Sequence, residues 1–153
     1  MWRPSLTVQP SGPRCLPGYA AMGRFGGTRP ELDLRLRLLV EQLAAELSGC
    51  PWCIGQAHHR WLKSCVPLEL QGALRQPAGS MFSTREQAAL VFTDALSRYS
   101  DQEGGIPMAI LESARRSFSE QEIVELTVLA TTEHFFDPLT GRLGRDFHSQ
   151  TSP

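Results

Sequence analysis

The chain contains no long apolar run. Although 41% of its 153 residues are hydrophobic, nothing approaches the roughly 18 consecutive apolar residues of a membrane span, so no membrane partner is expected. The opening stretch "MWRPSLTVQPSGPRCLPGYAAMG" also lacks the apolar segment of about 7 to 15 residues that marks a secretory signal, and the expected location is cytoplasmic. Clustered positive charge is missing too. Fifteen basic residues face sixteen acidic ones, for a net charge of -1, and no run of cations is placed to neutralise phosphates, which argues against nucleic acid as a partner. No convincing strand occurs, so the fold class is all-α, with about six helices. The length suits one domain with a real core.

Cysteine is present but sparse, four residues in all. Without a secretion signal a structural disulfide framework is not expected, and the close C-x-x-C spacing of Cys50 and Cys53 points to redox chemistry or metal. Cys15, in a Gly/Pro-rich arm, and Cys65, near a helix end, read as bystanders.

Residues 1–28 carry many of the prolines and glycines without apolar periodicity, and read as an extended or poorly ordered arm. A helical domain follows over 29–144, then a tail over 145–153 that includes His148. Thr28 and Glu31 form a candidate capping box for a first helix, along which Leu32, Leu36, Leu39, Leu43 and Leu47 recur at helical spacing. Ser48-Gly49 breaks it, and Pro51 suits the first position of a second helix running to about Ser64. Pro67 starts a short third one. Ser83-x-x-Glu86 and Ser119-x-x-Glu122 are two more capping boxes, and Pro107 opens the helix between their segments. Trp52, Trp61, Phe82, Phe92, Phe135 and Phe136 read as core or interface packing rather than the lining of a pocket.

The chemistry concentrates in "SGCPWCIGQAHHRW", residues 48–61. At the N-cap, with Pro51 following, Cys50 faces the free N–H groups and positive end of the helix dipole, which favour thiolate over thiol. Cys53, three residues on, shares its face and can close a disulfide, so the pair suits hydroperoxide or disulfide reduction. A metal reading fits the residue types Cys50, Cys53, His58 and His59. On one helix, however, His58 lies about 140° round from Cys53 and His59 about 120° off on the other side, so a tetrahedral ion would need Cys65, His134 or another subunit. Neither metal nor cofactor is expected. Buried packing beside Trp52 and Ile54 is the plain structural alternative for both cysteines.

The helix leading into "LSGCPWCIG", the segment "FSTREQAALVFTDALSRY" and the block "SFSEQEIVELTVLATTEHFFDPLTGRLG" together resemble, in order and spacing, the AhpD-like branch of the carboxymuconolactone decarboxylase superfamily. The resemblance covers roughly residues 30 to 144. It implies a homo-oligomer, a trimer or hexamer or else a dimer, and a thiol-dependent alkylhydroperoxidase with Cys53 meeting the peroxide and Cys50 resolving it. It also implies an organic hydroperoxide or disulfide substrate and a thiol reductant or carrier protein as partner. Two departures fall on the family's proton relay. Its usual histidine, four residues after the second cysteine, is Ala57, and its usual glutamate, twelve before the first, is Leu38. His58, His59 and Glu46 are the provisional proton handlers, with Glu41 also near. Pro138 stands where arginine is common, and His134, beside Glu133, where asparagine is. The expected function is therefore a slow AhpD-like peroxidase or disulfide reductase. The alternative is a non-catalytic helical oligomer that senses redox state or binds a small molecule.

Overall fold

A computed structural model describes residues 30–79, 81–98 and 105–137, with side chains described to residue 132. The arm over 1–28 with Cys15 and Thr28, the tail, Pro138, His148 and the side chains of Glu133, His134, Phe135 and Phe136 lie outside the described residues. Those that are described form five α-helices and one 3-10 helix, with no strand among them: α1 (Leu34–Ser48), α2 (Pro51–Leu62), the 3-10 helix (Leu68–Ala73), α3 (Thr84–Ser97), α4 (Met108–Ser117) and α5 (Glu120–Asp137). The expected all-α class and helix order hold.

The start of α1 corrects the expected cap. Asp33, not Thr28, is the N-cap, and its carboxylate accepts from the Leu36 amide at 2.9 Å. The preceding amides of Glu31 and Leu32 instead donate to one carboxylate oxygen of Glu125 on α5, at 2.8 and 3.1 Å. A long-range acceptor thus takes the N–H groups that an earlier helix start would have left unsatisfied. Similarly, α2 ends at Leu62, where Ser64 accepts from the Val66 amide and donates to the Trp61 carbonyl.

Helix α1 packs against α2, α3 and α5. Its leucines divide between two cores. Leu36, Val40 and Ala44 meet Ala89 and Phe92 of α3, Ala114 of α4, and Leu126, Leu129 and Ala130 of α5. Leu38, Leu39 and Leu43 meet Trp61, Leu70, Leu74, Phe82 and Leu90. Buried Trp61 finds a partner for its indole N–H in the Val66 carbonyl at 3.2 Å, as a desolvated donor must. Gly49, at φ 70°, closes α1 in the left-handed conformation that glycine adopts without a Cβ penalty, and the chain turns directly into α2.

Candidate functional site

The turn at Gly49 sets Cys50 at the N-cap of α2, in extended backbone, with Pro51 in the first helical position. Its sulfur accepts the Cys53 amide at 3.2 Å, one of the orphan donors of a helix N-terminus. Cys50 and Cys53 are joined in a disulfide, with Cα atoms 5.3 Å apart. Both residues are fully buried, at 0% exposure, in a small cluster with Ala45 of α1 and Ala57, against which Trp52 and Ile54 pack. The first turn of α2 contains no acidic residue, so no carboxylate on that turn opposes a thiolate.

The other candidate positions have surroundings and contacts of their own. Ala57, the position of the family's histidine, is buried with the cysteines, and Leu38 is buried among Leu39, Trp61 and Leu70. His58 points its Nδ1 at Oε1 of Gln71 in the 3-10 helix, 3.1 Å away. His59 is exposed. Glu46 accepts from Nε2 of Gln42 at 3.0 Å and pairs with Arg75 at 3.5 Å, while Arg75 also donates to the Glu46 carbonyl at 2.8 Å. Glu41 pairs with Arg60 of α2 at 2.9 Å. Cys65 is free and exposed. Among the described residues, no group of three or more His, Cys, Asp or Glu side chains is placed to hold a metal ion, and no helix is long and apolar enough to cross a membrane.

Sequence reasoning passed over one buried polar residue. Gln42, 3% exposed, is the one strongly polar side chain buried along α1. Its signal was its setting, flanked by Leu38, Leu39, Leu43 and Ala45 on an apolar face, where a solvated glutamine is out of place.

Elsewhere the electrostatics are structural. Glu86 and Glu122 each accept from the N-cap amide of their own helix, at 2.7 and 2.8 Å, and each pairs with an arginine, Arg35 and Arg85 respectively. Burial pushes the Glu86 carboxyl up, but the Arg35 and Ser83 hydrogen bonds outweigh it and leave the group below its ordinary range. The Ser119 amide, opposed by partial burial and aided by Arg85, does the same for Glu122. Arg85 also lies 4.3 Å from the centre of the Phe118 ring and donates to the Ser117 carbonyl, which fastens α3 to the α4–α5 corner.

No family model matches the chain, and no curated protein matches it. Among solved structures it is similar to a protein of unknown function from Agrobacterium tumefaciens, for which the antioxidant defence role of AhpD has been suggested. The two are 20% identical over 84% of this chain and 87% of that one, with a TM-score of 0.75. The fold is AhpD-like, with a C-x-x-C disulfide at a helix N-terminus.

Proposed function

We propose that this chain is a thiol-dependent oxidoreductase of the AhpD type, a peroxidase or disulfide reductase working through Cys50 and Cys53. The observation that carries the reading is the disulfide at the start of α2, whose N-cap sulfur accepts the Cys53 amide and whose first turn has no acid. After reduction, that amide and the helix dipole favour a thiolate there. A hydroperoxide would oxidise one sulfur to a sulfenic acid, the other sulfur would displace water to restore the disulfide, and a dithiol carrier would reduce it again.

With Ala57 and Leu38 at the family's relay positions, no side chain there moves a proton. General acid–base help is typically worth about 10²- to 10⁴-fold, so the reaction is slow, and His58, His59 and Glu46 are the groups to test for a residual contribution. The family likeness adds a homo-oligomer to this reading. Exposed Leu34, Leu62, Met108 and Val124 are apolar side chains that assembly would cover.

The complete burial of both cysteines favours a second reading, a non-catalytic helical scaffold that keeps the disulfide as structure or as a redox sensor. Steady-state consumption of an organic hydroperoxide with dithiothreitol as reductant separates the two. Turnover that vanishes in Cys50→Ser and in Cys53→Ser supports the enzyme; turnover equal to that of buffer supports the scaffold.

A further inference from the structure

Neither half of the Cys50–Cys53 disulfide is open to solvent, since both residues are fully buried. Thiol–disulfide exchange requires a thiolate to touch one of the sulfurs, so a redox pair in this setting needs a route in. The cluster round the cysteines shows where that route lies. Ala45 and Ala57 are buried with them, and the apolar side chains that pack against the cluster while keeping some exposure are Trp52 and Ile54. These two stand about 100° to either side of Cys53 round α2. They flank it at the solvent edge, while Ala45 belongs to the neighbouring helix.

The turn that carries them lies between two glycines. Gly49 ends α1 at φ 70°. Gly55 follows Ile54 within α2 and is exposed. A Cβ at Gly55 would meet nothing within 4 Å, and its φ is not positive, so neither packing nor backbone calls for glycine there. Its physical effect is to weaken the helix: relative to alanine, an interior glycine favours the unwound state roughly fivefold. Between the glycines the chain is a closed unit, held by the disulfide, by the Cys53 amide on the Cys50 sulfur at 3.2 Å and by the Ile54 amide on the Cys50 carbonyl at 3.0 Å.

We propose that residues 50–54 are a lid over their own disulfide, sealed by Trp52 and Ile54 and hinged at Gly49 and Gly55, and that Trp52 sets the access of other thiols to the sulfurs. The lid rests on the redox reading and supplies the route that full burial otherwise denies it. Opening unwinds α2 as far as Gly55 and swings the closed unit away from Ala45 with Trp52 upon it, a local event that leaves the two larger cores intact. A thiolate of a dithiol reductant then bonds to the Cys53 sulfur. The S–S bond breaks, and its electron pair leaves on Cys50, which takes up a proton. The second thiolate of the reductant displaces Cys53, which is protonated in turn. In sum, one protein disulfide and one dithiol give two cysteine thiols and the cyclic disulfide of the reductant.

The test follows reduction of the oxidised, folded protein by dithiothreitol, trapping thiols with N-ethylmaleimide and reading the mass, for wild type, Gly55→Ala, Trp52→Ala and Ser119→Ala, with the stability of each from urea denaturation. When opening and closing are fast, the rate tracks the population of the open form. Gly55→Ala should therefore be reduced roughly fivefold more slowly. Trp52→Ala should be reduced about tenfold faster, the effect of losing around half the burial value of a large apolar side chain. Ser119→Ala, which weakens a cap on α5, should keep the wild-type rate although its stability falls. A Ser119→Ala rate that rises in step with its loss of stability means that the disulfide is reached only by global unfolding, and overturns the lid. If Trp52→Ala fails to fold by circular dichroism, Gly55→Ala decides. Wild-type protein that is readily reduced while both lid variants keep its rate removes the lid alone. A wild-type disulfide that resists dithiothreitol until the protein is denatured removes the redox reading and the lid with it.

Discussion

Three helix N-termini in this chain solve the same backbone problem with different atoms. At α3 and α5 the cap is a serine, Ser83 or Ser119, whose hydroxyl accepts the amide of the residue three places on, Glu86 or Glu122, at 3.2 Å, while that glutamate accepts the cap amide in return. At α2 the geometry repeats with sulfur. Cys50 occupies the serine's place and accepts the amide of Cys53 at 3.2 Å, and Cys53 occupies the place of the glutamate. The serine boxes are solvent-facing and reinforced by Arg35 and Arg85; the cysteine pair is buried and has no acid in its turn. A place that a capping hydroxyl holds at α3 and α5 is held at α2 by a sulfur, the atom on which the proposed redox reading rests. That exchange marks the site more clearly than any single residue type.

Breaking the comparison at α2 should have the largest effect. Cys50→Ser restores the usual capping atom and removes the chemistry: helix content by circular dichroism should be retained, while reversible disulfide formation falls to zero. Cys53→Ser should abolish it as well, by leaving no partner for Cys50. Ser83→Ala and Ser119→Ala do the reverse. Each should lose about 1 kcal/mol of stability in chemical denaturation, the usual value of such a cap, with the rate of Cys50–Cys53 oxidation unchanged. Gly49→Ala probes the turn that places Cys50. Nothing lies within 4 Å of the added Cβ, so the cost is the left-handed backbone alone, about 1 kcal/mol in the same assay.

The smallest effect is the dependence on pH. Glu86 and Glu122 both have carboxyls lowered from the ordinary value of 4.5, so the folded state binds protons less readily than the unfolded one. Their contribution is therefore fully present above the unfolded pKa and is lost as pH falls through the lower folded values. Urea denaturation from pH 6 down to pH 3 should show stability falling at the acid end, with a shallower slope in Glu86→Gln and Glu122→Gln.

The caps at Cys50, Ser83 and Ser119 could be read from the chain alone, because each depends on residues three positions apart and on no other part of the fold. The start of α1 could not. It is decided by Glu125, more than ninety residues away in sequence, which takes the Glu31 and Leu32 amides. The same applies to His58 and Glu46, whose neighbours are Gln71 in the 3-10 helix and Arg75 in the turn beyond it. Helical spacing described where they sit on their own helices but not what those faces meet. Leu38 and Ala57 were legible as departures from a relay; that both would be fully packed against neighbours became clear only in three dimensions.

The central claim is that Cys50 and Cys53 are a reversible redox pair and not merely a buried structural bond. The most direct measurement follows the mass of reduced, folded protein during titration with an organic hydroperoxide, then after addition of dithiothreitol. The account predicts rapid loss of two hydrogens located between Cys50 and Cys53, recovered in full by the reductant. Thiols that stay reduced in the folded protein and react only after denaturation would contradict it.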